Sequence, residues 1–344
     1  MINLDSFPRV RLAHAPTPLE PLDRVSKLLG GPRLWIKRDD CTGLSSGGNK
    51  VRKLEFVLGD AVSKGADTVV TAGAWQSNHS RQTAAAAARL GLKCHLLLSN
   101  LTGFRERAYR RNGNILLDRL HDATIHELAD PGQEDVLAYL NSAVDRQRLS
   151  LQAQGARPYA IPVGASNPIG SLGYADCARE IVVQAQASGL NIAAIVHRSG
   201  SGGTQAGLVA GLAVGEVPIP VIGIGGGEAP QVLEELVFNM AAEAAGLLGR
   251  PSAVKRSSVV TTDPVPIQYG HSTPEVTDVI RLFARTEGIL VDPAYTGPAL
   301  VGLIQMIRQG RFERDSNVVF IHTGGTAALF GYVDSFAAEL GGIE

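Results

Sequence analysis

The chain has 344 residues, of which 44% are hydrophobic and 19% are charged, as is usual for a globular protein. This length exceeds that of most single domains and predicts one large domain or two intertwined domains. Lysine and arginine (32 residues) nearly balance aspartate and glutamate (33 residues), which gives a net charge of −1. That charge argues against nucleic acid or an anionic membrane surface as a partner.

The distribution of apolar, cysteine and histidine residues narrows the class of protein further. No apolar run approaches the roughly 18 residues needed to cross a bilayer, and the N-terminal segment lacks the apolar region of a signal peptide. The three cysteines are odd in number and widely spaced, which argues against a disulfide framework and indicates a reducing compartment. The histidines show no metal-binding spacing. We therefore expect a cytoplasmic protein with no membrane segment and no bound metal.

Short runs rich in Val and Ile alternate with alanine-rich helical segments along the chain. In chain order, such runs begin at residues 67, 93, 193, 219 and 316. This alternation predicts an α/β fold with parallel strands, in which ligands bind where strands end and helices begin. The stretch from about 126 to 158 is polar and helical, with weak strand signals. We predict a smaller unit over residues 51–160, inserted into a larger unit formed by residues 1–50 and 161–344.

Lys50 follows two glycines and an asparagine in "SSGGNKVRKLE", at the predicted start of a helix. A lysine amine is nucleophilic only when it is uncharged, which requires burial or a cationic neighbour. Arg52 and Lys53 are candidates for that neighbour. The alternative, from this stretch alone, is a surface lysine at the exposed start of a helix.

The four polar residues of "QSNH" (76–79) lie between a predicted strand and a predicted helix. Amides at a helix N-terminus, together with hydroxyl and amide side chains, suit a substrate carboxylate. The alternative is an ordinary helix N-cap, which Ser80 alone could provide. Farther along the chain, the basic run "FRERAYRR" (104–111) is most simply the solvated face of a helix.

A glycine-rich segment after the third predicted strand opens the next helix. It consists of Gly200, Ser201, Gly202, Gly203 and Thr204. Its amides and hydroxyls, with the dipole of the following helix, suit a phosphate; the alternative is a tight turn between strand and helix. The spacing of its glycines matches neither a Walker A loop nor the GxGxxG fingerprint of dinucleotide-binding proteins. In "GIGGGE", Glu228 stands where such a fingerprint has its third glycine, and in "HTGGTAAL" Thr323 would face a bound ligand.

A lysine that can become reactive, a phosphate-binding loop and a site for a carboxylate form a consistent set. Together they suggest pyridoxal 5′-phosphate (PLP) attached to Lys50, with a small amino acid as the substrate.

With these residues, the chain resembles the fold-type II PLP-dependent enzymes, and in particular the group of D-cysteine desulfhydrase, L-cysteate sulfo-lyase and 1-aminocyclopropane-1-carboxylate (ACC) deaminase. The resemblance runs nearly the full length and is carried by "LWIKRDDCTGLSSGGNKVRKLE", "QSNHSRQTAAAAA", "SGGTQAGL", "ARTEGILVDPAYTG" and "HTGGTAALFGY". It implies a tryptophan synthase β-like fold of two three-layer α/β/α domains with mainly parallel sheets. It also implies a homodimer.

The resemblance assigns a role to each matching residue. The implied catalytic residues are Lys50, which forms the Schiff base, and Ser77 and Tyr295, which take part in proton transfer. The implied cofactor-binding residues are Lys50, Asn78 beside Asn49, Gly200, Ser201, Gly202, Gly203, Thr204, Thr296 and Thr323. The implied substrate-binding residues are Ser77, Asn78, His79, Tyr269 and Tyr295.

Thr296 and Thr323 help to choose among the members of this group. In ACC deaminase a glutamate at the position of Thr296 bonds the pyridine nitrogen, and a leucine stands at the position of Thr323. A hydroxyl stabilises a protonated ring nitrogen less than a carboxylate does, which favours loss of a good β-leaving group over opening of a cyclopropane. The chain departs from the pattern of the group at Trp75, Arg198, His271 and Pro298.

The sequence therefore predicts a PLP-dependent carbon–sulfur lyase. It would act on a small β-substituted amino acid such as D-cysteine or L-cysteate and release pyruvate, ammonia and sulfide or sulfite. One alternative is ACC deaminase or a related β-eliminating deaminase. A second is a protein that binds a phosphorylated ligand without turnover, and a nicotinamide dehydrogenase is a more distant third.

Overall fold

Two β-sheets of different size, each covered by helices on both faces, make up the molecule. The computed structural model describes residues 3–132, 135–226, 229–339 and 341. Within these ranges the strands are β1 (Leu19–Pro21), β2 (Arg33–Lys37), β3 (Thr68–Ala74), β4 (Lys93–Ser99), β5 (Thr124–Leu128), β6 (Pro158–Ala160), β7 (Ile192–Arg198), β8 (Val221–Ile224), β9 (Val259–Thr262) and β10 (Asn317–Ile321). The helices are α1 (Asp23–Leu29), α2 (Lys50–Ser63), α3 (Asn78–Leu90), α4 (Arg107–Arg111), α5 (Asn114–Leu120), α6 (Val136–Ala153), α7 (Pro168–Ala187), α8 (Gly203–Val214), α9 (Pro230–Leu247), α10 (Pro274–Glu287), α11 (Thr296–Arg308) and α12 (Thr326–Leu329). None of these helices is long and apolar enough to cross a membrane.

The larger sheet has its strands in the order β1–β2–β10–β7–β8–β9. All neighbouring pairs are parallel except β1 with β2. Alternate residues of β10 enter opposite cores. Val318 and Phe320 join the core beneath α10 and α11, whereas Val319 and Ile321 join the core beneath α7, α8 and α9. Burial on both faces explains the continuous apolar run in this strand.

The smaller sheet is entirely parallel, in the order β5–β4–β3–β6. Val69 and Leu96 pack with α2, α3 and α5 on one face, and Val70 and Leu97 pack with α6 on the other. Both sheets are therefore the centre of three layers, and the predicted α/β fold with mainly parallel sheets is confirmed.

The polar stretch from about 126 to 158 contains more strand than its sequence indicated. Helix α6 occupies its centre as predicted, but β5 and β6 lie at its two ends. These are the edge strands of the smaller sheet, and none of their residues is fully buried. A partly solvated edge strand needs few large apolar side chains, so the strand signal is weak there.

The four strands of the smaller sheet fall between residues 68 and 160, and the six strands of the larger sheet fall outside that range. Helix α2, which begins at Lys50, packs against both α3 and α7. The division of the chain at residues 50 and 160 stays a prediction.

Candidate active site

The carboxyl ends of strands from both sheets line one cavity of about 430 Å³. Its walls include Ala74 at the end of β3 and Arg198 at the end of β7. The cavity brings together most of the residues predicted from the sequence: Asn49, Lys50, Ser77, Asn78, His79, Gly200, Ser201, Gly202, Thr204, Tyr269, Tyr295 and Thr323. Gly203 and Thr296 do not line it. Glu228, whose position argued against a dinucleotide fingerprint, lies outside the described residues.

Lys50 is the first residue of α2 and faces the cavity. Its Nζ makes no hydrogen bond or ion pair with any residue that the structure describes. Desolvation in the cavity lowers the pKa of Lys50 to about 8, so the amine loses its proton more readily than that of an ordinary lysine. The cause is burial rather than a cationic neighbour, because Arg52 points away from the cavity into a network of carboxylates.

The glycines before Lys50 serve the packing of the chain. Gly47 and Gly48 have φ angles of +70° and +126°, which residues other than glycine rarely adopt. A Cβ atom on Gly47 would lie 1.8 Å from the carbonyl oxygen of Asp40, and one on Gly48 would lie 2.4 Å from Nε2 of Gln82. The loop that contains Gly47 and Gly48 therefore packs tightly between the segments that carry Asp40 and Gln82. This packing positions Lys50 at the start of its helix.

The phosphate-binding loop joins β7 to α8. The amides of Gly200, Ser201 and Gly202 donate to no acceptor among the described residues, and a Cβ on Gly200 would meet nothing within 4 Å. These amides are therefore free for an anion at the N-terminus of α8. Gly203 is the first residue of α8 and packs against Ser166, which explains why it does not face the cavity. Thr204 completes the loop, and its hydroxyl accepts a hydrogen bond from Asn49 at 3.0 Å.

Lys53 supports this loop from behind, a role that the sequence did not reveal. Its Nζ donates to the hydroxyl of Ser166 at 3.0 Å, and that hydroxyl lies 2.7 Å from the hydroxyl of Ser201. Burial, and secondarily the charge of Lys50, keeps the pKa of Lys53 well below its ordinary value. An anion on the loop would favour the protonated form. The link could not be found by spacing, since Ser166 lies 113 residues from Lys53.

Ser77 caps α3, with its hydroxyl accepting from the amide of Ser80 at 3.1 Å. The cap is therefore Ser77, although Ser80 was the alternative that the sequence offered. A Cβ on Gly73 would lie 2.6 Å from Oγ of Ser77, so a larger residue in β3 would displace the hydroxyl. Since the hydroxyl accepts the capping bond, it keeps its own proton for donation into the cavity. The first amides of α3 lie at the same point and suit a carboxylate.

Asn78 is oriented by Asn114 at the start of α5. Asn114 Nδ2 donates to Oδ1 of Asn78 at 3.0 Å and to the carbonyl oxygen of Gln76 at 2.9 Å. Because Oδ1 of Asn78 is thus used, its Nδ2 is the group available to a ligand, and it bonds no described residue. Asn114 is a positioning residue that nothing in its local sequence indicates.

His79 differs from its expected role in binding a carboxylate. Thr71 donates its hydroxyl proton to the carbonyl oxygen of Ile161, so the hydroxyl oxygen must accept from Nε2 of His79, 2.8 Å away. Burial, with the charges of Lys50 and Lys53, holds the pKa of His79 well below its ordinary value, and the ring is neutral. Its other nitrogen is then only an acceptor, which repels a carboxylate. Any contribution of His79 to carboxylate binding is made by its backbone amide.

Tyr269 and Tyr295 form an edge-to-face pair whose hydroxyls lie 2.9 Å apart. Burial raises the pKa of Tyr295 to about 12, despite the opposing hydrogen bond from Tyr269. Burial also raises the pKa of Tyr269 well above its ordinary value. Both phenols are therefore neutral at physiological pH, and the pair presents a proton donor to the cavity.

Thr296 is placed differently from the expectation that it binds the cofactor. Its hydroxyl donates to Oδ1 of Asp292 at 2.6 Å and accepts from the amide of Asp292 at 2.8 Å. Both hydrogen-bonding roles of the hydroxyl are thus filled inside the turn before α11. Thr323 does line the cavity, and its hydroxyl bonds no described residue. Thr323 is therefore the hydroxyl available to a ring nitrogen.

The groups left free in the cavity fit PLP. The unpaired amine of Lys50 suits the aldehyde, and the free amides of the loop 200–204 suit the phosphate. The unbonded Nδ2 of Asn78 suits the phenolic oxygen, and the unbonded hydroxyl of Thr323 suits the ring nitrogen. Each of these groups would be an unsatisfied polar atom if the cavity held only an apolar ligand.

Comparison with known proteins agrees with this chemistry. Residues 10–324 match the model of a family described as "Pyridoxal-phosphate dependent enzyme". The chain is 44% identical over 334 residues to a D-cysteine desulfhydrase of Serratia proteamaculans (96% of this chain, 97% of that protein). It is also 44% identical over 330 residues to a D-cysteine desulfhydrase of Klebsiella pneumoniae (96% of this chain, 98% of that protein). A crystal structure of an ACC deaminase homologue superimposes with a TM-score of 0.85 at 38% identity, covering 97% of each chain. The chain belongs to the family of PLP-dependent enzymes.

Proposed function

We propose that this enzyme is a D-cysteine desulfhydrase, a carbon–sulfur lyase that converts D-cysteine and water to pyruvate, ammonia and hydrogen sulfide. The observation that carries the proposal is the near-full-length similarity to two proteins named for this activity, joined to a cavity that holds every group that the chemistry needs. The coarser class, a PLP-dependent enzyme acting on a small amino acid, follows from the family itself.

The residues of the cavity divide the work of binding. The amides of Asn78 and His79 at the start of α3, with the hydroxyl of Ser77, receive the carboxylate of the amino acid, because these two amides donate to no described acceptor. Asn78 and Thr323 orient the cofactor ring, and the loop 200–204 holds its phosphate. When bound, PLP supplies an electron sink that makes the Cα–H bond of an amino acid acidic.

Proton transfers are assigned to three groups. The uncharged Nζ of Lys50 accepts the proton from Cα, because desolvation has already lowered its pKa to about 8. Ser77 Oγ and the phenol of Tyr295 keep their protons at neutral pH. Of these two, Tyr295 has a hydroxyl partner in Tyr269 from which its proton can be replaced. Tyr295 therefore donates a proton to the departing sulfur.

Thr323 supports a lyase over a ring-opening deaminase. No carboxylate among the described residues bonds the hydroxyl of Thr323, and the carboxylate nearest in sequence to Tyr295, that of Asp292, accepts from four donors of its own turn. A ring nitrogen that meets only a hydroxyl gives a weaker electron sink. This suffices to expel sulfide, which is a good leaving group. It is poorly suited to opening a cyclopropane.

The remaining parts of the proposal rest on the resemblance to the family. We propose a homodimer in the cytoplasm, with a PLP-binding unit formed by residues 1–50 and 161–344 and a smaller unit at 51–160. The site residues are those given above. Gly203 and Thr296 do not line the cavity, and they contribute by forming the start of α8 and the turn before α11.

A substrate screen with the purified holoenzyme tests the proposal. Ammonia release is measured with D-cysteine, L-cysteine, L-cysteate and ACC at equal concentrations. We expect D-cysteine to give the highest kcat/KM, with equal amounts of sulfide and pyruvate. A higher kcat/KM for ACC or for L-cysteate would replace the proposed substrate, and absence of ammonia with all four would favour a binding protein without turnover.

Lys50→Ala is the matched loss-of-function variant, and Lys64→Ala is its control. Lys64 caps the other end of α2 and is exposed, so its removal leaves the cavity unchanged. Lys50→Ala should abolish the visible absorbance of the lysine-bound cofactor and lower kcat by at least about 10²-fold, the lower end of the range for general acid–base catalysis. Full activity in Lys50→Ala would contradict the assigned role of this lysine.

A further inference from the structure

A second cavity, of about 460 Å³, shares no lining residue with the active site. Trp75 and a single acidic residue, Glu127, line it together with five arginines. The arginines are Arg105, Arg107, Arg110, Arg111 and Arg119. They come from the segment before α4, from α4 itself and from α5. The sequence interpretation of "FRERAYRR" as a solvated helix face therefore misses a concave surface that its arginines share with α5.

These five arginines carry more positive charge than the one carboxylate that lines the cavity with them, that of Glu127, can balance. None of the five forms an ion pair or a side-chain hydrogen bond with another residue of the described chain, although most arginines elsewhere in the structure do. Like charges gathered around one cavity repel one another and raise its positive potential. A site with this charge distribution attracts anions from solution.

Trp75 forms part of the wall of this cavity. The residue is 9% exposed, and the guanidinium of Arg110 lies 4.9 Å from the centre of its ring. The amide of Trp75 donates to the carbonyl oxygen of Ser99 at 3.1 Å, which fixes the residue between β3 and β4. The cavity is therefore a shaped site with an aromatic side chain as well as charge, unlike a set of arginines spread over an open surface.

We propose that this cavity binds a small molecule that carries two or more phosphate groups. A phosphate offers three acceptor oxygens and close to two negative charges, and the planar guanidinium donates to it in pairs. Five guanidinium groups exceed what the two oxygens of one carboxylate can engage. The volume exceeds that of a single phosphate ion and lies in the range of sites for small organic ligands.

The bound phosphates would lie beside Trp75, two residues before Ser77 in the turn that caps α3. Occupancy would move the guanidinium of Arg110 relative to the indole ring and so change its fluorescence. The chain has only two tryptophans, and Trp35 is hydrogen-bonded to Asn317 in the larger sheet. Trp35→Phe therefore leaves Trp75 as the sole reporter of this cavity.

Titration of the Trp35→Phe holoenzyme with tripolyphosphate tests the proposal, and isothermal titration calorimetry of the wild-type holoenzyme repeats it without any substitution. We expect a saturable change in fluorescence and one site per chain. The affinity should fall as ionic strength rises, because the arginines are exposed. ATP without a divalent metal should compete, and citrate at equal concentration should bind at least tenfold more weakly.

Two double variants distinguish binding in this cavity from attraction by positive charges elsewhere on the protein. Arg107→Gln with Arg111→Gln removes two guanidiniums one turn apart on α4, and should raise the Kd for tripolyphosphate at least about tenfold. Arg146→Gln with Arg314→Gln removes the same charge from exposed positions outside the cavity and should leave the Kd unchanged. Sedimentation velocity of both variants reports their oligomeric state.

Three results would overturn the proposal. The first is absence of saturable binding in both the fluorescence and the calorimetric titrations. The second is an equal loss of affinity in the two double variants, which would mean attraction by net charge alone. The third is a change of oligomeric state in Arg107→Gln/Arg111→Gln without binding by the wild type, which would assign the arginines to a contact between subunits.

Discussion

Lys50 must lose its proton to act as a nucleophile, whereas the amine of an ordinary lysine in water is protonated at neutral pH. The cavity resolves the conflict through desolvation, since no cation near Lys50 is needed to lower its pKa to about 8. The sequence offered two cationic neighbours as the alternative cause. Arg52 is bound by the carboxylates of Asp39 and Glu180. Burial holds the pKa of Lys53 well below its ordinary value. Reactivity at this position is therefore a property of the cavity and depends little on the neighbouring charges.

The rate at which PLP reconstitutes the cofactor-free protein should follow the titration of Lys50. Only the free amine attacks the aldehyde, so the rate should rise with pH and level off above about 8, rather than near the 10.5 of an ordinary lysine. Stopped-flow measurement of the visible absorbance from pH 6.5 to 10 checks this. Nα-acetyl-lysine in the same buffers is the control, and an inflection shared by both amines would contradict desolvation at Lys50.

The residues of the site divide sharply into those predictable from sequence and those that are not. Lys50, Ser77 and the loop 200–204 lie at strand–helix joints, and their residue types match the chemistry of the site. The roles of His79 and Thr296 were not predictable. His79 is hydrogen-bonded to Thr71 on the preceding strand, and the hydroxyl of Thr296 is hydrogen-bonded to Asp292 within the local turn. Residue type shows what a side chain can bind, whereas its partners decide what it does bind.

Asp292 organises the N-terminus of α11 and with it the position of Tyr295. Its Oδ2 accepts from the amides of Ala294 and Tyr295, each at 2.9 Å. Its Oδ1 accepts from the amide and the hydroxyl of Thr296 at 2.9 and 2.6 Å. A buried carboxylate at this position accepts hydrogen bonds from amides that a helix leaves unpaired, and its negative charge interacts favourably with the positive N-terminal end of the helix dipole.

Asp292→Asn should lower the free energy of unfolding by about 2–4 kcal/mol, because its new amide donor would face donors of the turn in a buried site. It should also lower kcat more than it raises KM, since the phenol of Tyr295 loses its fixed position. Urea denaturation and steady-state kinetics measure the two effects. Equal stability of Asp292→Asn and the wild type would show that the turn relaxes without cost.

Asp135→Asn is the matched control for this substitution. Asp135 also caps a helix, with Oδ1 accepting from the amides of Leu137 and Ala138, but it is exposed. Water can replace those bonds, so the loss should stay within about 1 kcal/mol and kcat should be unchanged.

At the scale of elements, the sequence predicted best where a strand is buried on both faces. The strands β3, β7, β8 and β10 are buried over most of their length and rich in Val, Ile and Ala, and each is followed by a glycine or polar segment. These two features allow their positions to be predicted. The edge strands β5 and β6 were missed, because their residues are partly solvated and carry no apolar run.

A buried ionic network connects distant parts of the chain beneath the active site. Arg52 on α2 donates to both oxygens of Asp39, which follows β2, and to both oxygens of Glu180 on α7. Tyr174 donates to Asp39 at 2.5 Å, and Lys37 donates to Glu180 at 3.0 Å. These partners are up to 143 residues apart in sequence. The network therefore fixes α2, and with it Lys50, to the larger sheet.

Arg52→Met should lower the free energy of unfolding by about 3–5 kcal/mol at pH 7, because it leaves two buried carboxylates without their guanidinium. Arg179→Met is the control: its side chain is half exposed where it pairs with Asp176, and its loss should cost no more than about 1 kcal/mol. Urea denaturation of both variants measures the difference. Equal losses in the two variants would contradict a structural role for the network.

The effect of Arg52→Met should depend on pH. Burial raises the pKa of Asp39, but the charge and hydrogen bonds of Arg52 outweigh burial and hold it below its ordinary 3.8. A carboxyl with a lowered pKa contributes stability above its unfolded pKa, and this stability is lost as pH falls through the folded pKa. The gap between wild type and Arg52→Met should therefore narrow below about pH 4.

At the scale of the whole molecule, the sequence predicted two sheets and their class but could not show how they are joined. Strand–helix alternation reports which segments are buried, and this is a local property. The network around Arg52 and the support of Ser201 by Lys53 depend on pairs of residues that no periodic pattern relates. Such contacts become visible only when the chain is folded.

The strand order of the larger sheet has a consequence for synthesis on the ribosome. Strand β10 lies between β2 and β7, and Asn317 pairs there with Arg33. The two ends of the chain therefore meet in the middle of one sheet, and β2 has no parallel neighbour until residue 321 has emerged. The strands of the smaller sheet, all before residue 161, are available much earlier. Non-local pairing of this kind makes folding slow. The loop that carries Lys50 thus waits for nearly the whole chain before it reaches its native surroundings.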